Sequence, residues 1–378
     1  MATKLRERSK AARSYHVIDA DSHVVEPAAA LLVKDPEILA KAGLPAQPSQ
    51  PPRQAMGSAT MGDGKTAGLG HPGGFDPNVR LDIYGEEGID QGVFFPTSAL
   101  AHLPNLEFGK IVLHAYNDWL ADYCSPAPDR LFGACAVHLG DPEGAADELR
   151  RCVNELGFRT AFLRPCLYIE GTQWWDEVYE PFWKAATELD VAVAFHPFPA
   201  DQMPGAGKYF RLTDPASGDP AAFFRTPFIH PVDAMFTLGS LITGGVLERH
   251  PTLRIGIIES SGGWIVPFLE RLDGRYEHLA SGHIFFGGSE GLLERMTIAP
   301  SEYFKRQCWI SFDPTESSIE FTAGQIGADR IMVGSDFPHP DSFYPGFVEG
   351  TIDNISGLSE HDRQQVLGES ARAFYKLP

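Results

Sequence analysis

An aspartate and a histidine separated by one residue, Asp21 and His23, follow the short apolar run that opens at Tyr15. In extended backbone alternate side chains point the same way, so a carboxylate and an imidazole at this spacing can converge on one cation. Alone, the pair would serve equally well to cap the next turn. Two further groups stand in comparable places: His196 closes the run 191–195, and Asp336 follows the run 330–334. Two imidazoles and two carboxylates suit a divalent ion such as Zn²⁺ or Mn²⁺, with positions left open for water or substrate. That chemistry requires all four groups at one point, which the elements carrying them must provide.

From Tyr15 onward, short runs of Val, Ile and Phe alternate with stretches of helical periodicity, the pattern of a parallel sheet with crossover helices. Strands are expected at 15–20, 92–96, 132–137, 160–164, 191–195, 253–258, 309–312 and 330–334, with helices at 108–123, 142–156, 176–189 and 360–375 among them. Eight such strands predict an α/β fold, a closed (β/α)₈ TIM barrel. Most runs end in a polar or ionisable residue: Asp21 and His23, Thr97, His138, Arg164, His196, Glu259, Asp313 and Asp336. In a barrel these project from the C-terminal mouth, where active sites sit. Closure sets strand eight beside strand one, which puts Asp336 next to Asp21 and His23, with His196 across the mouth. Two stretches break the alternation, 45–77, crowded with Pro, Gly, Gln and Ser, and 197–227, which carries Tyr209, Phe223 and Phe224. They read as long insertions in one barrel over 15–378, preceded by a flexible tail at 1–14.

Hydrophobic residues make up 43% of the 378-residue chain and charged residues 21%, a globular composition. The net charge of −19 argues against a nucleic-acid partner, because phosphate backbones are bound by Lys and Arg. No apolar run reaches 18 residues and no secretory leader is evident, so no membrane partner and a cytoplasmic location are expected. Cys124, Cys135, Cys152, Cys166 and Cys308 form no Cys-x-x-Cys pair and read as buried reduced thiols. Neither Gly-x-Gly-x-x-Gly after the first strand nor Gly-Lys-Ser/Thr occurs, which removes support for a nucleotide cofactor.

Six segments carry a shared pattern: Ile18-Asp19-Ala20-Asp21-Ser22-His23, Gly88-Ile89-Asp90-Gln91-Gly92-Val93, Phe195-His196-Pro197, Gly244-Gly245-Val246-Leu247-Glu248-Arg249-His250-Pro251, Gly263-Trp264 with Glu270-Arg271-Leu272-Asp273, and Ser335-Asp336-Phe337-Pro338-His339. Together they resemble the amidohydrolase superfamily, in the amidohydrolase-2 branch that includes aminocarboxymuconate-semialdehyde and γ-resorcylate decarboxylases. The resemblance implies a distorted barrel, one divalent metal held at Asp21, His23, His196 and Asp336, and a homodimer. It also implies non-oxidative decarboxylation of a small aromatic or unsaturated cyclic carboxylate, with zinc the first choice of ion and manganese or iron accepted by the same donors.

This chain departs from the branch in two places. Where the decarboxylases carry a histidine after strand six it has Glu259, and at the end of strand four, where binuclear relatives place a lysine, it has Arg164. Asp336, Glu259 and His339 are therefore the candidate catalytic residues. Arg164 is a candidate for binding a substrate carboxylate through its planar fork, with His138 beside it at the mouth. Hydrolysis of an amide or lactone is the alternative, since a metal-bound water and Asp336 suffice for it. A metal-binding barrel without catalysis is a third reading, supported by Glu259 and by Ser370 where relatives have Asn.

Overall fold

A computed structural model describes residues 15–28, 33, 36–41, 67–100, 105–198, 220–282 and 291–378. Eight parallel strands lie side by side in sequence order. They are β1 (Ile18–His23), β2 (Gln91–Phe95), β3 (Leu131–Ala136), β4 (Thr160–Leu163), β5 (Ala192–Phe195), β6 (Ile255–Ile257), β7 (Cys308–Phe312) and β8 (Ile331–Val333). Every strand residue is buried, as continuous apolar runs in a sheet covered on both faces should be. The crossovers carry α1 (Pro77–Glu87), α2 (Leu106–Cys124), α3 (Pro142–Asn154), α4 (Glu180–Glu188), α5 (Pro220–Thr243), α6 (Ile265–Ala280), α7 (Pro300–Gln307) and α8 (Ile319–Ile326). Two of these start on a common device: Asp76 and Asp141 each accept a backbone N–H of the first turn, and a proline follows at once. Among the described residues no helix is long and apolar enough to cross a membrane.

The barrel expected from the sequence is present, with one shift of register. β1 runs over Ile18–His23, so Asp21 and His23 lie within the strand and not after it. Pairing with β2 continues through Ser22 and His23, opposite Phe94 and Phe95, after an irregularity between Asp19 and Ser22. The tail 1–14 and most of both insertions, including Tyr209, lie outside the described residues, as do the side chains of Phe223 and Phe224. Within the first insertion, Pro72–Gly74 forms a 3₁₀ turn with Gly73 and Gly74 buried.

β8 returns to β1, and individual bonds tie the seam. Asp336 N donates to Asp21 O at 2.9 Å and His23 N to Phe337 O at 2.8 Å. The Asp19 carboxylate accepts both the backbone N–H and the hydroxyl of Ser335, at 2.8 and 2.6 Å. A Cβ on Gly334 would stand 2.4 Å from that of Asp21, so only glycine lets the strands approach this closely. Burial pushes the Asp19 carboxyl up to about 6, against the hydrogen bonds from Ser335.

Candidate metal centre

β1 supplies Asp21 and His23, the end of β5 supplies His196, and the turn after β8 supplies Asp336. Asp21, His23 and His196 form one cluster, and Asp336 joins it through His23 in a second cluster with His339. Asp21 Oδ1 lies 3.5 Å from the Nε2 atoms of both His23 and His196, and Asp336 Oδ1 lies 3.3 Å from His23 Nε2. Both histidines are wholly buried.

The backbone fixes what these imidazoles present. His23 Nδ1 stands 2.8 Å from Pro96 O, and His196 Nδ1 stands 2.8 Å from Pro197 O. A carbonyl only accepts, so in each ring Nδ1 carries the hydrogen and Nε2 of the neutral ring is a lone pair. Burial, with His339 and His196 nearby, brings the His23 pKa down to about 4, so this ring is neutral. The two Nε2 atoms nevertheless face each other at 3.1 Å, while the buried Asp21 Oδ1 accepts no hydrogen bond from the chain. Lone pairs and carboxylate oxygens packed together in this way favour a shared cation. The residues therefore fit a divalent ion in both donor chemistry and orientation. Burial opposes the charge on Asp21, and only a proton on His196 or His23 beside it would hold its carboxyl below the usual range.

Glu259 and His339 flank this cluster. Glu259 Oε2 lies 3.1 Å from His196 Nε2, and its backbone N–H donates to Ser311 Oγ. Burial, with Asp336 and Asp21 near it, pushes the Glu259 carboxyl well above the usual carboxylate range. His339 stacks on His23 with ring centroids 4.0 Å apart and puts Nδ1 2.6 Å from Asp336 Oδ1. Its Nε2 meets Thr97 Oγ1, whose own hydrogen goes to Val24 O, so Nε2 carries a hydrogen. Burial would lower the His339 pKa, but Asp336 outweighs it and the value rises, in keeping with an imidazolium. Asp336 and Glu259 sit at φ +56° and +47°, left-handed conformations that carry a strain of about 1 to 2 kcal/mol in a non-glycine residue.

The other candidates gather elsewhere on the mouth. Arg164 stacks on Tyr168 at 5.0 Å, and the His138 ring contacts the same tyrosine at 5.7 Å. Asp313 is pushed up to about 7 by burial and by Glu316, which itself accepts backbone N–H groups of Gly262, Gly263 and Asp313. Sequence reasoning passed over Asp19 and Arg80. The signal for Arg80 was its place on the buried stripe of α1 with Ile83 and Tyr84.

The family model described as amidohydrolase matches residues 18–377. Gamma-resorcylate decarboxylase of Rhodococcus jostii (strain RHA1) is 26% identical over 316 residues, covering 79% of this chain and 87% of that protein. The 2-amino-3-carboxymuconate-6-semialdehyde decarboxylase of Dictyostelium discoideum is 25% identical over 311 residues, with 80% and 77% covered. Among solved structures, 5-carboxyvanillate decarboxylase of Novosphingobium aromaticivorans, complexed with manganese and 4-hydroxy-3-methoxy-5-nitrobenzoic acid, has a TM-score of 0.68 at 21% identity. It covers 97% of this chain and 97% of its own, and shares the fold.

Proposed function

This chain belongs to the amidohydrolase family, and from that premise we propose that it is a mononuclear metal-dependent decarboxylase of a small aromatic or unsaturated cyclic carboxylate. The observation carrying the reading is the cluster of Asp21, His23 and His196 at the barrel mouth, with Asp336 set against His23. Asp21, His23, His196 and Asp336 hold the ion. Zinc suits these donors, and manganese, bound in 5-carboxyvanillate decarboxylase, suits them too. When bound, the ion acts as a Lewis acid on a substrate carboxylate and the oxygen beside it.

The chain's own groups handle the proton. Cleavage of the carbon–carboxylate bond leaves its electron pair on carbon, and that carbon takes up one proton as CO₂ departs. Asp336 takes a proton from the His339 imidazolium at its Oδ1 and delivers it, and His339, held by Thr97, is recharged from solvent. Glu259, kept protonated by burial, donates a hydrogen bond to the substrate. Arg164 binds a second anionic group, and His138 flanks it across Tyr168. The homodimer implied by the resemblance has its candidate contact on α5, where Phe228 and Phe236 are 47% and 62% exposed.

The test is metal analysis by ICP mass spectrometry joined to a panel of aromatic carboxylates with CO₂ release as readout. About one equivalent of ion, lost in Asp21→Ala, His196→Ala and Asp336→Ala, together with CO₂ from a panel member, supports the proposal. A wild-type protein that takes up neither zinc nor manganese refutes it. Glu259, standing where related decarboxylases have histidine, favours hydrolysis as the second reading, and turnover of amides or lactones without CO₂ would select it.

A further inference from the structure

Arg80 is a buried cation that meets the metal ligands only through other atoms. Its side chain is wholly buried beneath the barrel mouth. Nε donates to Gly73 O at 2.8 Å, and Nη2 donates to His23 O at 2.6 Å. Nη1 donates to Ser22 Oγ at 2.5 Å and to Phe337 O at 3.4 Å. The guanidinium lies 4.5 Å from the Phe337 ring centroid and 5.0 Å from that of Phe94. These partners are carbonyls, a hydroxyl and aromatic faces, none of which neutralises the charge as a carboxylate would.

The acceptors share a location. Ser22 lies between Asp21 and His23, the His23 carbonyl belongs to a ligand itself, and Phe337 follows Asp336. Phe337 O also accepts His23 N at 2.8 Å and Ser22 Oγ at 3.2 Å, so one carbonyl joins both sides of the seam. A guanidinium offers five donors in a fixed plane, which an ammonium or an apolar side chain cannot imitate. Anchoring α1 to the barrel would need only apolar contact, whereas burying a guanidinium whose hydrogen bonds go to neutral groups is costly, even with Asp19 near enough to feel its charge. The expense is accounted for if the fork sets the relative position of β1 and the turn after β8.

We propose that Arg80 is a positioning residue of the metal centre: its fork locks Ser22, His23 and Phe337 together and so fixes the spacing of Asp21, His23 and Asp336. The proposal rests on the metal-site reading above. Loss of a partner that orients metal ligands ordinarily weakens metal affinity by about 10 to 100-fold.

Co²⁺ alone is the probe, added to the chelator-stripped full chain, with affinity read by chelator competition and geometry by the visible d–d bands. The variants are Arg80→Lys, which keeps the charge but loses the fork, and Ser22→Ala, a smaller change that removes the shared hydroxyl. Tyr123→Phe is the control, because Tyr123 Oη donates to the same Gly73 O at 2.9 Å and borders the Arg80 side chain, without reaching either ligand strand. Both test variants should weaken Co²⁺ binding, Arg80→Lys by about 10-fold or more, and shift the bands. Tyr123→Phe should lower thermal stability and leave affinity and spectrum unchanged. Wild-type Co²⁺ affinity and bands in folded Ser22→Ala and Arg80→Lys, or an equal loss in all three variants, would overturn the positioning role alone. A wild-type protein that binds no Co²⁺ would overturn the metal reading and this proposal with it.

Discussion

Asp21→Asn should give a protein more stable than wild type without metal and less stable with it. In the metal-free chain Asp21 Oδ1 accepts no hydrogen bond and stands 3.5 Å from two imidazole Nε2 atoms. An isosteric amide supplies N–H donors to those lone pairs, and relief of a buried unsatisfied group is worth about 1 to 3 kcal/mol. For a 378-residue chain the unfolding entropy is about 0.8 kcal/mol/K, so metal-free Tm should rise by about 2 °C. Divalent ion at 1,000 times its Kd should stabilise the wild type by about 4 kcal/mol, or about 5 °C, because the unfolded chain has no site. The variant loses an anionic ligand and should show less than about 1 °C of that shift. Differential scanning fluorimetry at pH 8, above the ordinary imidazole range, with chelator or with Zn²⁺ or Mn²⁺, reads all four values. A variant that keeps the metal shift, or that is less stable than wild type in chelator, would show that no cation belongs among these atoms.

Glu259→Gln keeps the hydrogen bond but not the acidic proton. It should retain about one equivalent of ion and most of the CO₂ release, whereas Glu259→Ala, which removes the donor, should lower release by about 10-fold or more; an unchanged kcat in Glu259→Ala on the substrate found by screening would remove Glu259 from the mechanism. Glu148 tests the scaffold away from the mouth. Burial works against its charge, but Arg151, Asn117 and His114 overcome it and hold the carboxyl at about 2, below its usual 4.5. A depressed acid stabilises the fold above its unfolded pKa and loses that contribution as pH falls through the folded value. Glu148→Gln should therefore cost about 2 kcal/mol at pH 7 in urea unfolding, with the gap narrowing below pH 4.5; a pH-independent gap would be evidence against the ion pairs. Phe236→Glu on α5 should turn a dimer into a monomer in light scattering, and an unchanged mass would move the contact elsewhere.

What the sequence made legible was whatever repeats along the chain. Eight apolar runs gave the strands, and the polar residue closing each gave the mouth, so Asp21, His23, His196 and Asp336 could be gathered before any coordinates. The miss at β1 has a physical cause: Asp21, Ser22 and His23 break the apolar run, but β-pairing to Phe94 and Phe95 does not need apolar side chains. Arg80 and Asp19 were hidden for the opposite reason. Each is a charged residue inside an element, and only closure of the seam brings Arg80 to Phe337 and Asp19 to Ser335, 257 and 316 residues away. The left-handed backbone at Glu259 leaves no trace in residue type either, since glutamate rarely chooses it, whereas aspartate, as at Asp336, is among the non-glycine residues that do.

Charge decides the order in which this mouth can be filled. Asp21, Asp336, Glu259 and Asp313 crowd one region of a chain whose net charge is already −19, a poor setting for an anionic substrate. Burial answers part of the difficulty by pushing the Glu259 carboxyl well up and Asp313 to about 7, and His339 Nδ1 stands against Asp336. Asp21 finds no such relief while the imidazoles beside it are neutral. A divalent ion converts that remaining negative site into a positive one, so a carboxylate is attracted only after the ion has entered. Isothermal titration with a non-reacting nitro analogue of an aromatic carboxylate should then give heat with the loaded protein and none after chelation. Equal binding in both states would mean that the anion is held at Arg164, away from the ligands, and the proposed chemistry would lose its substrate.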